Sequence, residues 1–446
     1  MSAPAGVFER FLAAHEAFVA TRDDDPAWLA SHRREAIEAF AARGLPSRRD
    51  EEWRYTSLAP LAKLDFAPAA PAALERDDLE ALAAPLFACS LYAFANGRAV
   101  PGLSSAPGLP GGARCDGLAA LLSDGAGPVE ARLDHYVDIK AHPFAALNSA
   151  FASDGAVVRA PRGVVCDQPV HLVFASVADG TPPVTHPRVV IVAEAGSEIT
   201  VVQDHVGVGP GAGFTNAVTE VHVGAGARVR FVLLQREDGD RLHVSNLQVR
   251  QERDSLFTAH TLTLGGRLVR NDAGVLLADR GAECRLDGLF TAGGESVVDN
   301  HTEVDHAQPH CTSRELYKGV LGGGARGVFR GRVIVRPDAQ KTDASQQNPN
   351  LLLGPKAEID TKPQLEIYAD DVKCSHGSTI GRLDENALFY LRSRAIGAER
   401  ARDLLTRAFA LEVLEHLPTP GLREGLDDAV VSSLRRARTG ESVDAA

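Results

Sequence analysis

One short segment of the chain carries two side chains that suit a soft metal ion. Within residues 370–377, Cys374 and His376 are two positions apart, so on a β-strand both side chains would leave the same face. A thiolate beside an imidazole is half of a typical site for iron or for part of an iron–sulfur cluster. Two ligands are too few for a closed site, so the others would come from elsewhere in the chain or from a partner. A buried cysteine beside a hydrogen-bonded histidine is the alternative.

A second group of metal-binding residue types lies upstream. These candidate ligands for zinc or iron are His301, Asp305, His306, His310 and Cys311. A polar turn with scattered histidines is the alternative interpretation.

A third group consists of four histidines at uneven intervals: His205, His222, His243 and His260. They would form a stacked ladder only if the strands repeated at those intervals.

Common enzyme and cofactor motifs are absent from the sequence. There is no GxxxxGK[ST] phosphate loop, HExxH, GxSxG or calcium-binding loop. Residues 322–327 match GxGxxG by letter, but the strand-like residues 328–335 follow them, and a dinucleotide site requires a helix there. The six cysteines show no CxxC spacing, which argues against a zinc ribbon and favours reduced, mostly buried thiols.

The elements that must position these residues fall into three zones. We predict a mostly helical domain over residues 1–136, a β-rich core over 137–383 and a C-terminal helical domain over 384–446. In the core, short β-segments are separated by glycine-centred turns, and an apolar residue follows several of these turns at intervals of 27 to 31 residues. Those apolar residues are Ile199, Val229, Leu256 and Cys284, then Val328 and Ile359.

A repeat of this length without helices is typical of a β-solenoid, and a β-sandwich is the alternative. One turn of a solenoid cannot bury its own inner face, so stacking supplies the core and leaves edge strands at the ends. An exposed edge strand is a pairing surface for a second chain.

Charge and hydropathy exclude several classes of protein. The 446 residues include 47 Lys and Arg against 59 Asp and Glu, a formal net charge of -12. An acidic chain without basic clusters is a poor candidate for binding nucleic acid or an anionic membrane. No run of 18 apolar residues is present, and the first residues do not form a signal peptide. We therefore expect a cytoplasmic protein.

Several longer motifs together resemble the SufB/SufD family of iron–sulfur cluster assembly proteins, and they cover most of the chain. The motifs lie at residues 44–56, 314–319, 331–333, 340–344, 346–348, 351–354, 373–377 and 384–394. Within the family the resemblance is to SufD-type rather than SufB-type chains. SufB-type chains carry Glu-His-Glu where this sequence has Cys374 to His376, and a scaffold cysteine where it has Asn348. An uncharged amide is a poor iron ligand, so the chain alone is expected to lack a full cluster site.

The resemblance implies a right-handed parallel β-helix flanked by N-terminal and C-terminal helical domains. It implies a non-catalytic scaffold subunit that pairs with SufB through the β-helix edge, and whose C-terminal helices bind the ABC-type ATPase SufC. It also implies a transient iron–sulfur cluster, or iron, at the interface with SufB and none bound stably by the isolated chain. His376 is the first candidate ligand and Cys374 the second.

Two alternatives to this assembly stay open at the sequence level. The isolated chain would form a homodimer if the same edge were apolar and uncovered. A β-helix enzyme that acts on acidic polysaccharide is the alternative function, with a polar cluster of Asp370, Asp371 and Arg332. The low aromatic content of 6% leaves few platforms on which sugars could stack.

Overall fold

The computed structural model describes residues 5–23, 25–64, 67–83, 88–105, 108–123, 133–178, 180–417 and 421–439. Among the described residues strands account for 41% and helices for 27%, so the fold is mainly β, as predicted. The strands are β1 (Ala67–Pro68), β2 (Ser90–Ala95), β3 (Arg98–Ala99), β4 (Arg114–Gly117), β5 (Gly155–Ala160), β6 (Val170–Val177), β7 (Pro183–Thr185), β8 (Arg188–Ala193), β9 (Glu198–Val208), β10 (Gly213–Val223), β11 (Arg228–Arg236), β12 (Arg241–Gln251), β13 (Leu256–Thr263), β14 (Leu268–Leu277), β15 (Glu283–Ala292), β16 (Val297–His306), β17 (Thr312–Leu321), β18 (Arg326–Val335), β19 (Asp343–Leu352), β20 (Glu358–Ile367) and β21 (Lys373–Gly381).

Two parallel sheets form the core. The first sheet has the strand order β20-β18-β16-β14-β12-β10-β8-β5-β4, and the second has the order β21-β19-β17-β15-β13-β11-β9-β6-β2-β3. Consecutive strands from β8 to β21 therefore alternate between the sheets, and every described pair among them is parallel. This is a β-solenoid of about eight turns. The predicted solenoid is confirmed and the sandwich alternative is wrong.

The register of the second sheet shows how the repeat builds the interior. Ile199 pairs with Val229, Val229 with Phe257, and Phe257 with Cys284. All four are buried in one apolar cluster between the two sheets. Stacking of equivalent inward-facing residues therefore supplies the core that one turn could not form alone.

Two of the apolar residues that marked the repeat lie one position out of register with the others. Leu256 pairs with Arg228 and Glu283, at the first position of each strand, where neighbouring turns carry charged side chains. Leu256 is apolar and half-buried, so in the sequence it resembles an inward-facing residue such as Phe257. Ile359 pairs with Gly327 instead of Val328 for a similar reason.

One corner of the solenoid repeats a left-handed backbone conformation. Gly226 (φ 66°), Asp254 (φ 54°) and His310 (φ 63°) occupy equivalent places in their turns. Each backbone N–H there donates to a carbonyl of the following turn, as from Asp254 to Arg280 and from His310 to Gln340. These bonds join successive corners, so the glycine-centred turns that suggested the repeat are part of its hydrogen bonding.

Helices lie at both ends of the chain. They are α1 (Ala5–Val19), α2 (Ala27–Arg43), α3 (Ala59–Lys63), α4 (Arg76–Ala83), α5 (Leu118–Ser123), α6 (Pro143–Phe151), α7 (Glu385–Ser393), α8 (Ala398–Leu411) and α9 (Leu422–Thr439), with short 3-10 turns at Glu51–Trp53, Pro101–Leu103, Pro110–Gly112 and Glu412–His416. The N-terminal helices share an apolar cluster with the first sheet, and the C-terminal helices share another with the second. Among the described helices, none has the length and apolar character needed to cross a membrane.

The segment 1–136, expected to be mostly helical, also contributes strand. β2 pairs in parallel with β6 and so extends the second sheet beyond the repeating turns. The hairpin partner β3 runs antiparallel to β2. Conversely, α6 lies inside the segment expected to be β-rich and is completely buried between the N-terminal helices and the first sheet.

Candidate metal site at the open end of the solenoid

The terminal turn of the solenoid carries both residues of the candidate half-site. Cys374 and His376 lie on β21, where they pair with Ala344 and Gln346 of β19. Ala344 and Gln346 are buried, whereas the intervening Ser345 is less so. Because paired residues of parallel strands project to the same side, both candidate ligands belong to the inward-facing row of the second sheet. Cys374 is half-buried and His376 is exposed.

The last turn has no further turn stacked on it within the described chain. β20 and β21 each end the strand order of their sheet, and nearly every residue of β21 is exposed. Large apolar side chains are exposed with them: Ile380 by 53%, Tyr368 by 62% and Ile367 by 42%. An open edge with exposed apolar side chains is a surface on which another chain can continue the sheet.

The Cys374 thiol is protonated in the free chain at neutral pH. Burial raises its pKa above the usual value, and a hydrogen bond from the Ala344 backbone offsets only part of this rise. Binding a metal ion would therefore require the thiol to lose a proton. Lys373 is adjacent in sequence, and alternation along the strand sends it to the opposite face.

The upstream candidate ligands do not converge. His301 lies 2.9 Å from the carboxylate of Asp299, whereas His306 is buried and lies 2.9 Å from the Ser313 hydroxyl. His310 occupies the left-handed corner position, and the buried Cys311 thiol donates to the carbonyl of Asp279 at 3.3 Å. Within the described chain, no three His, Cys, Asp or Glu side chains are grouped to hold a metal ion. The side chains of residues 301–311 are therefore not grouped as metal ligands, which favours the polar-turn alternative.

The four histidines at positions 205, 222, 243 and 260 do not form a stacked ladder. The rings of His205 and His243 meet edge to face with centroids 4.8 Å apart. His222 instead contacts Tyr136, with 2.9 Å between its Nδ1 and the phenol oxygen, and His260 lies 3.5 Å from Asp287. These histidines therefore belong to three separate environments.

Comparison with known proteins shows to which family this chain belongs. Residues 174–409 match the family described as "SUF system FeS cluster assembly, SufBD core domain", and residues 10–172 match "SufBD protein N-terminal region". The chain is 33% identical to the iron–sulfur cluster assembly protein SufD of Escherichia coli over 390 residues, which is 87% of this chain and 89% of that protein. The chain belongs to the SufBD family. A SufBD family protein of Synechocystis is also 33% identical, over 90% of both chains, and SufD of Bacillus subtilis is 29% identical over 65% of this chain and 66% of its own length.

Asn348 of this SufBD chain has a structural role in the strand ladder. Its side chain is fully buried and donates to the carbonyl of Tyr317 at 2.9 Å. The next residue, Pro349, has no N–H to give to the ladder between β17 and β19, and the Asn348 amide supplies a bond at this gap. Asn350 in turn donates to Asn348 Oδ1 at 2.7 Å. This network explains why the position carries an amide here.

The N-terminal family motif at residues 44–56 attaches the first helices to the solenoid through side-chain contacts. The Arg270 guanidinium lies 4.0 Å from the centre of the Trp53 ring, and the Thr56 hydroxyl donates to Asp299 at 2.5 Å. Glu51 pairs with Lys362 of the terminal turn at 2.5 Å. Residues 51–56 thus bridge strands of several turns of the solenoid.

The C-terminal helices of the SufBD chain are held to the second sheet by a buried cation. Lys318 is almost fully buried, donates to the carbonyl of Phe409 at 3.0 Å and pairs with Glu412. Ser433 of α9 donates to the carbonyl of Leu264 at 3.0 Å. On α7, Phe389 and Tyr390 remain exposed.

Two polar residues behind the half-site were not singled out from the sequence. Glu315 and Gln346 are buried inside the solenoid at the same register position as His376. Burial raises the pKa of Glu315 to about 7. Both residues lie in the family motifs, but only the strand register shows that they stack below His376.

The residues proposed for a polysaccharide site have other partners. Arg332 pairs with Glu366 at 2.7 Å and with Glu303 at 3.0 Å. Asp371 pairs with Lys341. Arg332 is therefore engaged by carboxylates other than the two in that hypothesis, and the family assignment gives the hypothesis no support.

Proposed function

We propose that this chain is a non-catalytic, cytoplasmic scaffold subunit for iron–sulfur cluster assembly. His376, with Cys374 as a second candidate, would bind iron or a nascent cluster together with ligands from a SufB-type paralogue paired on the open end of the solenoid. The C-terminal helices would bind a SufC-type ATPase. The isolated chain would hold no stable cluster, and a homodimer through the same edge is the alternative state when the paralogue is absent.

The observation that carries this proposal is an incomplete ligand set at an uncovered sheet edge. A thiol and an imidazole project from the last turn, and two ligands do not close an iron site. The same edge exposes apolar side chains and unpaired strand backbone. A chain paired there would cover both features at once. The exposed Phe389 and Tyr390 on α7 likewise support a docking role for the C-terminal helices.

The first test is an anaerobic affinity purification of the tagged chain from its own cells, with identification of every co-purifying chain. We expect a paralogous β-solenoid protein and an ABC-type ATPase. Recovery of a stable homodimer alone would contradict the assembly.

Replacement of His376 by alanine should remove most of the iron and the cluster yield of this complex, because one of few ligands is lost. Iron content and cluster absorption after reconstitution measure the effect. His310→Asn is the matched control, since His310 is also exposed and asparagine tolerates its left-handed backbone. Unchanged iron content in His376→Ala would remove this histidine from the site.

Replacement of Ile380 by glutamate should prevent pairing at the open edge, because it places a charge among apolar contacts. We expect the paralogue to be lost from the purified complex while the variant chain stays folded. Thr379→Glu is the control, because Thr379 is the exposed neighbour on the opposite face of β21. Equal retention of the paralogue by both variants would show that pairing uses another surface.

A further inference from the structure

Three residues of the second sheet form a column that leads inward from the candidate ligand. Glu315 of β17 pairs with Gln346 of β19, which pairs with His376 of β21. Neighbouring parallel strands are about 4.8 Å apart, so Gln346 is next to His376 and Glu315 is one strand deeper. Glu315 and Gln346 are 3% and 1% exposed.

Hydrogen bonds fix the orientation of the Gln346 amide. Gln346 Nε2 donates to Glu315 Oε2 at 3.1 Å, and the Thr302 hydroxyl of the opposite sheet donates to the same oxygen at 2.7 Å. A glycine faces the amide from that sheet: a Cβ at Gly331 would lie only 2.0 Å from Gln346 Nε2. The space for this amide therefore depends on a residue without a side chain.

This arrangement leaves one buried acceptor of the amide unused. Gln346 Oε1 has no hydrogen-bond partner, although it is shielded from solvent. An unpaired buried acceptor is unfavourable and is usually satisfied in a functional state. A histidine that binds a metal through one ring nitrogen usually donates its other N–H to a carbonyl or carboxylate oxygen. His376 is the imidazole on the adjacent strand.

We propose that Gln346 is a positioning residue for His376: its Oε1 accepts the ring N–H of His376 when the imidazole binds iron, and Glu315 fixes the amide in the orientation that this requires. The proposal rests on the proposed function, because it presumes that His376 is a ligand. It adds an inner pair of residues that set which ring nitrogen faces the metal.

The test is the rate at which a chelator removes iron from the purified, anaerobically loaded complex. Loss of an outer hydrogen bond to a metal ligand typically costs 10- to 100-fold in affinity, so Gln346→Leu should accelerate iron release about 10-fold. Gln347→Leu is the control, because Gln347 is the exposed neighbour on the other face of β19. Thermal midpoints of the variants show whether a change reflects unfolding.

A double-mutant comparison separates positioning from a general structural effect. If Gln346 acts through His376, Gln346→Leu should accelerate release from the otherwise wild-type complex but should not lower further the iron that a His376→Ala complex retains after reconstitution. A further loss of iron in the His376→Ala background, or no acceleration in the wild-type background, would overturn the positioning role. If His376→Ala itself leaves iron content and release unchanged, the proposed function fails; if it acts while Gln346→Leu does not, only the positioning role fails.

Glu315→Gln provides a second variant should Gln346→Leu not fold. It keeps the shape of the side chain but lets the Gln346 amide adopt either orientation, because a neutral amide can donate as well as accept. We expect faster iron release than in the wild type, smaller in extent than for Gln346→Leu. Release at the wild-type rate from a folded Glu315→Gln complex would contradict the role of the carboxylate.

Discussion

Replacement of Arg188 by methionine is expected to lower the free energy of unfolding by about 3–5 kcal/mol, because it leaves two buried carboxylates without their counter-charge. Arg188 begins β8 and is fully buried. Its guanidinium pairs with Asp134 at 2.7 Å and with Glu220, and it donates to the Ser149 hydroxyl at 3.0 Å. These contacts tie the segment before β5 to the first sheet.

A second arginine provides the matched control. Arg159 pairs with Glu194 at 2.5 Å, but both side chains are substantially exposed. Water screens such a pair, so Arg159→Met should cost less than about 1 kcal/mol. Urea unfolding followed by circular dichroism measures both variants. Losses of similar size would show that the buried Arg188 cluster contributes no more than a surface ion pair.

The repeat could be predicted from the sequence because turn chemistry is local. Glycines and polar residues at the left-handed corners leave a pattern that needs no knowledge of the partner strand. Register could not be predicted to the residue, as Leu256 shows. An apolar residue at a half-buried position mimics an inward-facing one, and a slip of one residue exchanges the two faces of a strand.

The N-terminal part of the fold was less predictable for a different reason. β2 is a single strand whose partner, β6, lies about 80 residues later in the chain. α6 is short and buried on all sides, so it lacks the amphipathic period that marks a surface helix. Neither element repeats, and no local signal distinguished them.

The candidate site also has a part that could be predicted from the sequence and a part that could not. Cys374 and His376 could be singled out because their spacing is short and fits one strand. The column beneath His376 could not, because Glu315, Gln346 and His376 are brought together only by pairing of strands about 30 residues apart. Proximity in sequence was misleading for residues 301–311, where strand and turn send neighbouring side chains to different faces.

Mild acid is expected to unfold the protein, because several buried histidines stay neutral in the folded state. Burial lowers the pKa of His186, His205 and His260 to about 3 and that of His306 to about 4. Below pH 6.5 the unfolded chain takes up protons that the folded chain excludes, so stability falls as the pH falls. Each such histidine lowers the free energy of unfolding by about 1.4 kcal/mol for every unit that the pH falls below 6.5.

The effect of these histidines outweighs the opposing contribution of Glu315. Its raised pKa means that the folded chain takes up a proton first, so this carboxyl favours folding as the pH falls from about 7 to 4.5. Burial also raises the pKa of Asp238 and Asp287, which adds to this opposition. Four histidines at about 1.4 kcal/mol per pH unit each still leave a net loss of stability near pH 4.5, and this loss is a large fraction of a typical total stability of about 5–15 kcal/mol. Acid lowers the charge repulsion of a chain with net charge -12, but that contribution is screened by salt.

Urea midpoints measured from pH 7.5 to 4.5 test this expectation. In His205→Leu the free energy of unfolding should fall less steeply as the pH decreases, by about 1.4 kcal/mol per pH unit, since one excluded proton is removed. Val202→Ala, a packing change at a buried residue without a titratable side chain, should leave the slope unchanged. The slope, unlike the stability at one pH, does not respond to the packing lost with the imidazole. A wild-type curve that stays flat between pH 6.5 and 5 would mean that the interior admits water or protons at these histidines.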